Sequence, residues 1–352
     1  MKRPRLMSLF EREVRGQPAA LERLLKLCIG PESPLKQILR LRRRARFDSV
    51  FFLGMGSSLF ASYPATYFLC DAGVPAQAID AGEYLHYLGR SARDKTLLVL
   101  VSQSGASPEV NQIAALLRTQ CRPFVVITNE GTSPLTRGSA ALFHLGAGRE
   151  TRTSSKTYTN TVAAGLLLAA CVSGSGVAAC MANLVVIPSR LRELMQEWRS
   201  HIEPAARLLA EASHFDVVSR GPGMATAHQA VLVLRETAFA KGSAMTAGFL
   251  RHGQLSSLRD GGVVVVLARS GRTFELLMHL VTAAERVGGR ILVLTDNPIK
   301  SNPRRLVLTL PSLPETIAPA CDILLFELLG IRLAELGGLD PGGSIQKVTR
   351  EQ

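Results

Sequence analysis

The sequence has 352 residues, of which 47% are hydrophobic and 20% are charged. This length is enough for two ordinary domains with sizeable cores, and the composition excludes an intrinsically disordered chain. The formal net charge of +13 favours a partner that is anionic.

The N-terminal segment, residues 1–46, is predicted to be helical and carries much of the excess positive charge. Its clustered basic residues are Lys36, Arg40, Arg42, Arg43, Arg44 and Arg46. Such a run could bind nucleic acid or an anionic membrane surface, but no aromatic residue interleaves it and no recognition-helix motif accompanies it. We therefore expect a solvated helix face, no nucleic-acid partner, and a small anionic substrate as the ligand.

A strand pattern over residues 96–101 runs directly into Ser102-Gln103-Ser104-Gly105, after which Ser107 and Pro108 open a helical pattern. A buried parallel strand that turns into a helix directs unpaired N–H groups and the positive end of the helix dipole at one point. The surrounding side chains are hydroxyls and an amide, none of them charged. The turn is therefore predicted to bind an oxyanion such as phosphate; the alternative is an ordinary loop with serine caps.

Residues 157–189 contain no charged side chain, which raises the question of a membrane span. The sequence Ser173-Gly-Ser-Gly176 interrupts this segment, and its uninterrupted apolar part is about 12 residues, the length of a buried core helix. We predict a core helix and no membrane insertion.

The six cysteines are scattered, and no CxxC or paired Cys/His spacing indicates a zinc site. Buried, reduced thiols and an N-terminus without an apolar signal sequence predict a cytoplasmic protein. No carboxylate cluster is arranged for magnesium, so neither a metal nor an organic cofactor is expected.

The chain repeats itself, with an offset of about 167 residues. The matching pairs are 49–56 with 216–223, 97–105 with 263–271, and 123–129 with 290–296. Each copy alternates short apolar strands with amphipathic helical stretches, a pattern typical of a doubly wound, mostly parallel sheet with helices on both faces. The hydroxyl-rich turn occurs only in the first copy, so we expect one copy to bind the anion and the other to supply different groups.

Six motifs occur in an order that resembles the tandem sugar isomerase (SIS) domain family. They are Gly56-Ser57-Ser58, Ser102–Gly105, Glu150–Thr159, Glu236, Arg251–Gly253 and Gln346–Thr349. The chain is similar to the isomerase half of glutamine–fructose-6-phosphate aminotransferase and to amino-sugar-phosphate deaminases and deglycases. The fold implied is α/β: two tandem doubly wound parallel-sheet domains of the flavodoxin-like type, with flanking helices.

The resemblance also implies a domain organisation. An N-terminal helical segment (1–46) precedes the first SIS domain (47–187), which binds the phosphosugar. A linking helix (188–212) leads to the second SIS domain (213–352), whose C-terminal tail closes the site. The protein is expected to be a homodimer or a higher homo-oligomer with shared active sites.

The resemblance assigns roles to individual residues as well. Those implied to hold the sugar phosphate are Ser57, Ser58, Ser102, Gln103, Ser104 and Ser107, and Ser154 lines the sugar. Glu236 would move a proton between C1 and C2, and His252 of the neighbouring subunit would open the sugar ring. Lys347 would close over the site and can form a Schiff base with a ketose. By periodicity alone, Glu236 would be a solvent-facing helix carboxylate and His252 an ordinary loop histidine.

Departures from the family pattern bear on the reaction. Val233 and Arg235 replace lysines of the aminotransferase, Gln254 replaces a proline, and the stretch from Glu150 to Lys156 is one residue shorter. Met1-Lys2 does not begin a glutaminase domain, so the chain alone is not expected to be a complete glutamine-dependent aminotransferase. The replacement of the lysine near Glu236 by Val233 makes a different reaction conceivable: release of ammonia from an amino sugar, or cleavage of a sugar–amino acid conjugate.

The sequence therefore predicts a phosphosugar-binding enzyme. It would be an aldose–ketose isomerase, or an amino-sugar-phosphate deaminase or deglycase, that acts through an open-chain imine or enediol(amine). The alternative is a non-catalytic sensor or regulator that binds sugar phosphates. Dinucleotide binding is disfavoured because Gly54-Met55-Gly56 lacks the third glycine of that fingerprint.

Overall fold

The structure, a computed structural model, describes residues 7–196 and 198–341. Three helices come first: α1 (Leu9–Arg15), α2 (Gln17–Ile29) and α3 (Pro34–Arg44). The Ser8 side chain caps α1 by accepting a hydrogen bond from the Glu11 N–H, and Pro18 and Pro34 stand in the first turns of α2 and α3, where proline disrupts no helical hydrogen bond.

The first lobe contains a five-stranded parallel sheet in the order β2-β1-β3-β4-β5. Its strands are β1 (Ser49–Gly54), β2 (Ala76–Asp80), β3 (Thr96–Val101), β4 (Phe124–Thr128) and β5 (Ala141–His144). Its helices are α4 (Ser57–Phe60), α5 (Tyr63–Asp71), α6 (Ala81–Glu83), α7 (Pro108–Thr119), α8 (Lys156–Ser173) and α9 (Val177–Val185). Every residue of β3 and β4 is buried, because helices cover both faces of the sheet.

The second lobe repeats this topology, with the strand order β10-β9-β8-β6-β7. Its strands are β6 (Phe215–Ser219), β7 (Gly242–Thr246), β8 (Val263–Leu267), β9 (Arg290–Thr295) and β10 (Arg305–Thr309), and its helices are α12 (Gly223–Ala238), α13 (Ala247–Arg251), α14 (Phe274–Arg286) and α15 (Pro319–Leu336). In chain order, both sheets follow the flavodoxin-like 2-1-3-4-5 pattern. The predicted α/β class with two doubly wound parallel sheets is confirmed.

The chain between the lobes forms two helices, where the sequence predicts a single linking helix over 188–212. They are α10 (Ile187–Met195) and α11 (Trp198–Ala210). The helix α10 ends because Gln196 adopts an extended conformation, with φ −74° and ψ 131°.

The uncharged segment corresponds largely to α8, in which the residues from Lys156 to Val172 are all buried. The helices α2, α3, α5 and α15 pack around α8, which therefore lies at the centre of the molecule. Among the described residues, no helix combines the length and the apolar character that crossing a bilayer requires.

A single hydrophobic core joins the two lobes. It includes Phe52 of the first sheet, Leu167 of α8, Leu234 of α12 and Phe326 of α15. The helix α12 of the second lobe packs against α4 and α5 of the first, and α15 packs against α8. This packing holds the last turn of α12 over the carboxyl edge of the first sheet.

The central helix α15 carries a carboxyl group in the core. Glu327 is fully buried, and burial raises the pKa of its carboxyl to about 8, with the nearby Glu150 adding to the rise. The amide of Gln17 donates a hydrogen bond to Glu327, which offsets part of this effect. The folded protein therefore holds a proton here that the unfolded chain releases above about pH 4.5.

We expect Glu327→Gln to flatten the pH dependence of stability. Because the folded-state pKa is the higher one, the parent loses stability as pH rises from about 4.5 to 8 and no further above that range. The slope attributable to this group is at most about 1.4 kcal/mol per pH unit. Urea unfolding from pH 5 to pH 9 measures the free energy of unfolding of both proteins. The difference between them should change in favour of the variant as pH rises from 5 to 8. If the two free energies depend on pH in the same way, the assignment of the raised pKa to Glu327 is contradicted.

Candidate active site

A cavity of about 730 Å³ lies at the carboxyl end of the first sheet, where the strand order reverses between β1 and β3. Ligands of open parallel sheets bind at such switch points. The first lobe and α12 of the second both line it. Of the residues predicted from the sequence, the cavity brings together Ser57, Ser58, Gln103, Ser104, Ser107, Ser154 and Glu236.

The turn between β3 and α7 is held by hydrogen bonds within the chain. The Asn111 side-chain amide donates to the carbonyls of Gly105 (3.0 Å) and Ser107 (2.9 Å). The Asn129 N–H donates to the Gln103 carbonyl at 3.1 Å. These bonds occupy carbonyl groups of the turn and fix its path above the N-terminus of α7. An anion there would meet N–H groups and the positive end of the helix dipole.

Ser102 and Ser107 are paired across this turn, with 3.0 Å between their hydroxyl oxygens. Ser107 occupies the N-cap position of α7, yet its side chain makes no capping bond to the helix. Ser102 is buried and is not among the cavity-lining residues. The structure therefore places Ser102 behind Ser107, where it orients the hydroxyl that faces the cavity.

The segment before α8 forms a third wall. Glu150 accepts hydrogen bonds from the N–H groups of Ser155 (3.1 Å) and Thr157 (3.2 Å) and from the Thr157 hydroxyl, so it caps α8. Burial raises the pKa of the Glu150 carboxyl. The Ser154 hydroxyl lies 2.8 Å from that of Thr157. These contacts present Ser154 to the cavity.

The same segment is tied to the N-terminal helices. Glu13 of α1 accepts a hydrogen bond from the Thr151 N–H at 2.9 Å, and Lys156 donates to the Arg149 carbonyl at 2.6 Å. The N-terminal segment therefore supports the loop that lines the cavity.

Glu236 lies in the last turn of α12, partly exposed, on the side of the cavity formed by the second lobe. Leu232, one turn earlier on the same helix, lines the cavity beside it. The carboxylate and the turn that is predicted to bind an anion therefore face one space, as a proton transfer on a phosphate-anchored substrate would require.

His252 and Lys347 are not placed in this cavity. His252 is exposed at the end of α13 and does not line the cavity of its own chain. Lys347 lies outside the described residues. The contribution of His252 from a neighbouring subunit thus stays a prediction.

Several cavity residues were not singled out from the sequence: Glu109, Thr151, Arg152, Thr157, Tyr158, Thr161 and Leu232. Thr157 and Tyr158 belong to a motif that the sequence marks, and Glu109 lies in the first turn of α7. No sequence signal pointed to Arg152. Within the described part of the chain, no group of three or more His, Cys, Asp or Glu residues is placed to hold a metal ion.

In the second lobe, side chains of the protein itself occupy the turn after β8, which corresponds to the Ser102–Ser107 turn of the first lobe. Arg269, which corresponds to Gln103, is buried and pairs with both carboxylate oxygens of Asp322, and Asp296 lies 3.5 Å away. The Asp296 carboxylate also accepts a hydrogen bond from the Ser270 N–H at 2.7 Å. An internal carboxylate thus occupies an N–H group of this turn, whereas the first-lobe turn faces an open cavity.

The family model described as "SIS domain" matches the chain twice, at residues 45–171 and 208–334. The chain belongs to the SIS domain family. The two matched SIS domains coincide with the two parallel sheets of the structure.

Curated proteins are similar to this chain over most of its length. A glutamine–fructose-6-phosphate aminotransferase (isomerizing) from Pyrococcus horikoshii is 29% identical over 301 residues, which cover 84% of this chain and 50% of that protein. The chain spans about half the length of the curated relatives it matches.

Solved SIS structures share the fold. The C-terminal domain of glucosamine-fructose-6-phosphate aminotransferase from Francisella tularensis superposes with a TM-score of 0.85 at 19% identity, covering 96% of this chain and 98% of that one. Glucosamine-6-phosphate deaminase from Thermotoga maritima gives a TM-score of 0.70 at 18% identity, covering 96% of this chain and 98% of that one. Both superpositions show that the chain shares the fold of these proteins.

Proposed function

We propose that this SIS protein is an enzyme that moves a proton between adjacent carbons of a phosphorylated sugar or amino sugar. The observation that carries the proposal is that Glu236 and the Ser102–Ser107 turn border one cavity. The turn would hold the phosphate, and this remote binding energy would orient the reacting carbons against the carboxylate.

In the proposed reaction, the Glu236 carboxylate removes the proton from C2 of an open-chain aldose or its imine. The electron pair forms an enediol or enediolamine, and the carboxyl group returns the proton to C1. With an amino sugar, the resulting imine at C2 takes up water and releases ammonia or an amine, which would make the enzyme a deaminase or deglycase. His252 from a second subunit would open the ring, since imidazole both accepts and donates a proton near neutral pH.

The proposal is tested by proton exchange, which reports on the enediol whatever the final product. Purified protein is incubated in D₂O with glucose, fructose, tagatose and glucosamine 6-phosphates, and NMR follows deuterium entering C1 or C2, together with an assay for ammonia. Exchange into at least one sugar phosphate is expected. Binding of sugar phosphates without exchange into any of them would contradict the enzyme and favour the sensor.

Shared active sites lead to a complementation prediction. Glu236→Gln and His252→Ala should each inactivate the protein, and mixing the two after subunit exchange should restore about one quarter of the parent activity, because half of the dimers then contain one intact site. The mixture is assayed by the same exchange experiment. Mass spectrometry shows whether the mixture contains heterodimers. If it does and no activity is recovered, Glu236 and His252 act within the site of a single chain.

A further inference from the structure

A group of buried polar atoms lies beneath the candidate site, between α8, α12 and α15. Within the described residues, the side-chain oxygens in this group that make no hydrogen bond of normal geometry are Tyr158 Oη, Thr226 Oγ1, Gln229 Oε1 and Glu327 Oε1, although the Tyr158 and Thr226 hydroxyls lie close enough to interact with each other. Tyr158, which also lines the cavity, is 1% exposed, and the other three residues are 0% exposed. We call these four residues the interlobe polar cluster.

The cluster spans the two lobes. The Tyr158 hydroxyl on α8 lies beside the Thr226 hydroxyl on α12 and near the Glu327 carboxyl group on α15. The Gln229 amide on α12 donates to the Ser154 carbonyl at 3.3 Å. Gln229 also precedes Glu236 by seven residues, so the two lie on the same face of α12. The cluster therefore touches both the wall formed by Ser154 and the helix that carries Glu236.

Gln17 connects the cluster to the N-terminal segment. Its side-chain amide nitrogen donates to Glu327 and lies 3.4 Å from the Ser155 hydroxyl. Its carbonyl oxygen accepts a hydrogen bond from the Thr159 hydroxyl at 3.0 Å. One buried side chain thus joins α2, the start of α8 and α15, immediately beneath the segment that lines the cavity.

Unpartnered polar atoms at this depth are costly, and native proteins satisfy them with ordered water. The four oxygens include hydroxyls that donate and an amide carbonyl that only accepts, so water between them has partners of both kinds. Glu327 is uncharged at neutral pH because burial raises its pKa, and in that form its carboxyl can donate as well. The titratable groups that interact with it among the described residues are Glu150 and Tyr158.

We propose that Glu327 and Gln17 are positioning residues which, together with water bound in the interlobe polar cluster, fix the segment Ser154–Tyr158 that lines the candidate site. Neither residue touches the cavity; each acts through Ser155, Thr159 or Tyr158. The catalytic consequence rests on the proposed function, but the positioning itself does not.

The test uses the full chain with Glu327→Leu, Glu327→Gln and Gln17→Met. Glutamine retains a donor and an acceptor at position 327, whereas leucine and methionine keep the volume and lose the hydrogen bonds. Glu335→Gln is the matched control: it makes the same change on the same helix but removes an ion-pair partner of Arg199 and Arg332. Two quantities are measured at pH 7: amide hydrogen exchange of residues 149–159, and the Kd for fructose 6-phosphate.

We expect Glu327→Leu and Gln17→Met to accelerate exchange over 149–159 and to weaken binding, each by about tenfold, because a network that has lost a member leaves the others unpaired. Glu327→Gln and Glu335→Gln should remain within about threefold of the parent in both measurements. Rescue by glutamine separates positioning from mere filling of the core.

Unchanged exchange over 149–159 in both Glu327→Leu and Gln17→Met would overturn the proposal, as would a Glu327→Gln variant that fails as badly as Glu327→Leu. If Glu327→Leu does not fold, Gln17→Met decides the question. A parent that binds fructose 6-phosphate without proton exchange would refute the proposed reaction and leave the positioning result standing. If the parent protein does not bind fructose 6-phosphate, amide hydrogen exchange of residues 149–159 alone decides whether Glu327 and Gln17 position the segment.

Discussion

Glu236→Gln is expected to lower the rate of deuterium exchange into a sugar phosphate by about a thousandfold, because general-base catalysis typically contributes 10² to 10⁴. Glutamine has nearly the same shape as glutamate and cannot accept the proton. The affinity for the sugar phosphate should change little, since Glu236 belongs to the wall formed by the second lobe and the turn predicted to bind the phosphate belongs to the first lobe. The effect should therefore appear in kcat and not in KM.

A second cavity carboxylate provides the matched control. Glu109 lies in the first turn of α7, on the anion-binding side of the same cavity. Glu109→Gln makes the same chemical change in the same space, and we expect the exchange rate to fall by no more than about tenfold. Equal losses in the two variants would mean that position 236 has no special role in moving the proton.

Gly105→Ala is expected to weaken phosphate binding at the first-lobe turn by more than about tenfold in Kd. Gly105 has φ +60°, a conformation that costs an alanine roughly 1–2 kcal/mol. A Cβ at this position would lie only 2.2 Å from the Ser133 hydroxyl oxygen and 2.5 Å from the Ser133 Cβ. The turn must shift to relieve this clash, and its N–H groups then no longer converge on the anion.

Calorimetric titration with fructose 6-phosphate and with inorganic phosphate measures this loss, which we expect to exceed about tenfold in Kd. Gly73→Ala is the control, because Gly73 has φ +78° and nothing lies within 4 Å of the added Cβ. It should suffer the same backbone strain and keep its phosphate affinity. Full affinity in Gly105→Ala would show that the anion is not bound at this turn.

The repeated strand patterns were sufficient to predict the fold, because buried parallel strands leave a strong and local signal in the sequence. The predicted anion-binding turn and Glu236 likewise face one cavity, which the internal duplication alone could not show. Their approach depends on how α12 packs against α4 and α5, and such contacts between lobes leave no periodicity in the sequence.

The contacts that support the site are long-range and were missed for the same reason. Gln17 and Glu327 are 310 positions apart, and Glu13 and Thr151 are 138 apart. One signal was available: Glu327 is an acidic residue within the apolar run Ile323–Leu329, which is unusual unless the group is paired or uncharged. The resemblance, and not any periodicity, implied that His252 acts in a neighbouring subunit's site. His252 is exposed outside the cavity of its own chain, and its contribution to a second subunit stays a prediction.

The central claim is that the first-lobe turn and Glu236 act on the same molecule. A crystal structure of the Glu236→Gln variant with a bound sugar phosphate tests this most directly. The account predicts phosphate oxygens within hydrogen-bond distance of Ser104 and Ser107, with C1 and C2 of the open chain beside residue 236. A phosphate bound elsewhere, or reacting carbons directed away from residue 236, would contradict it.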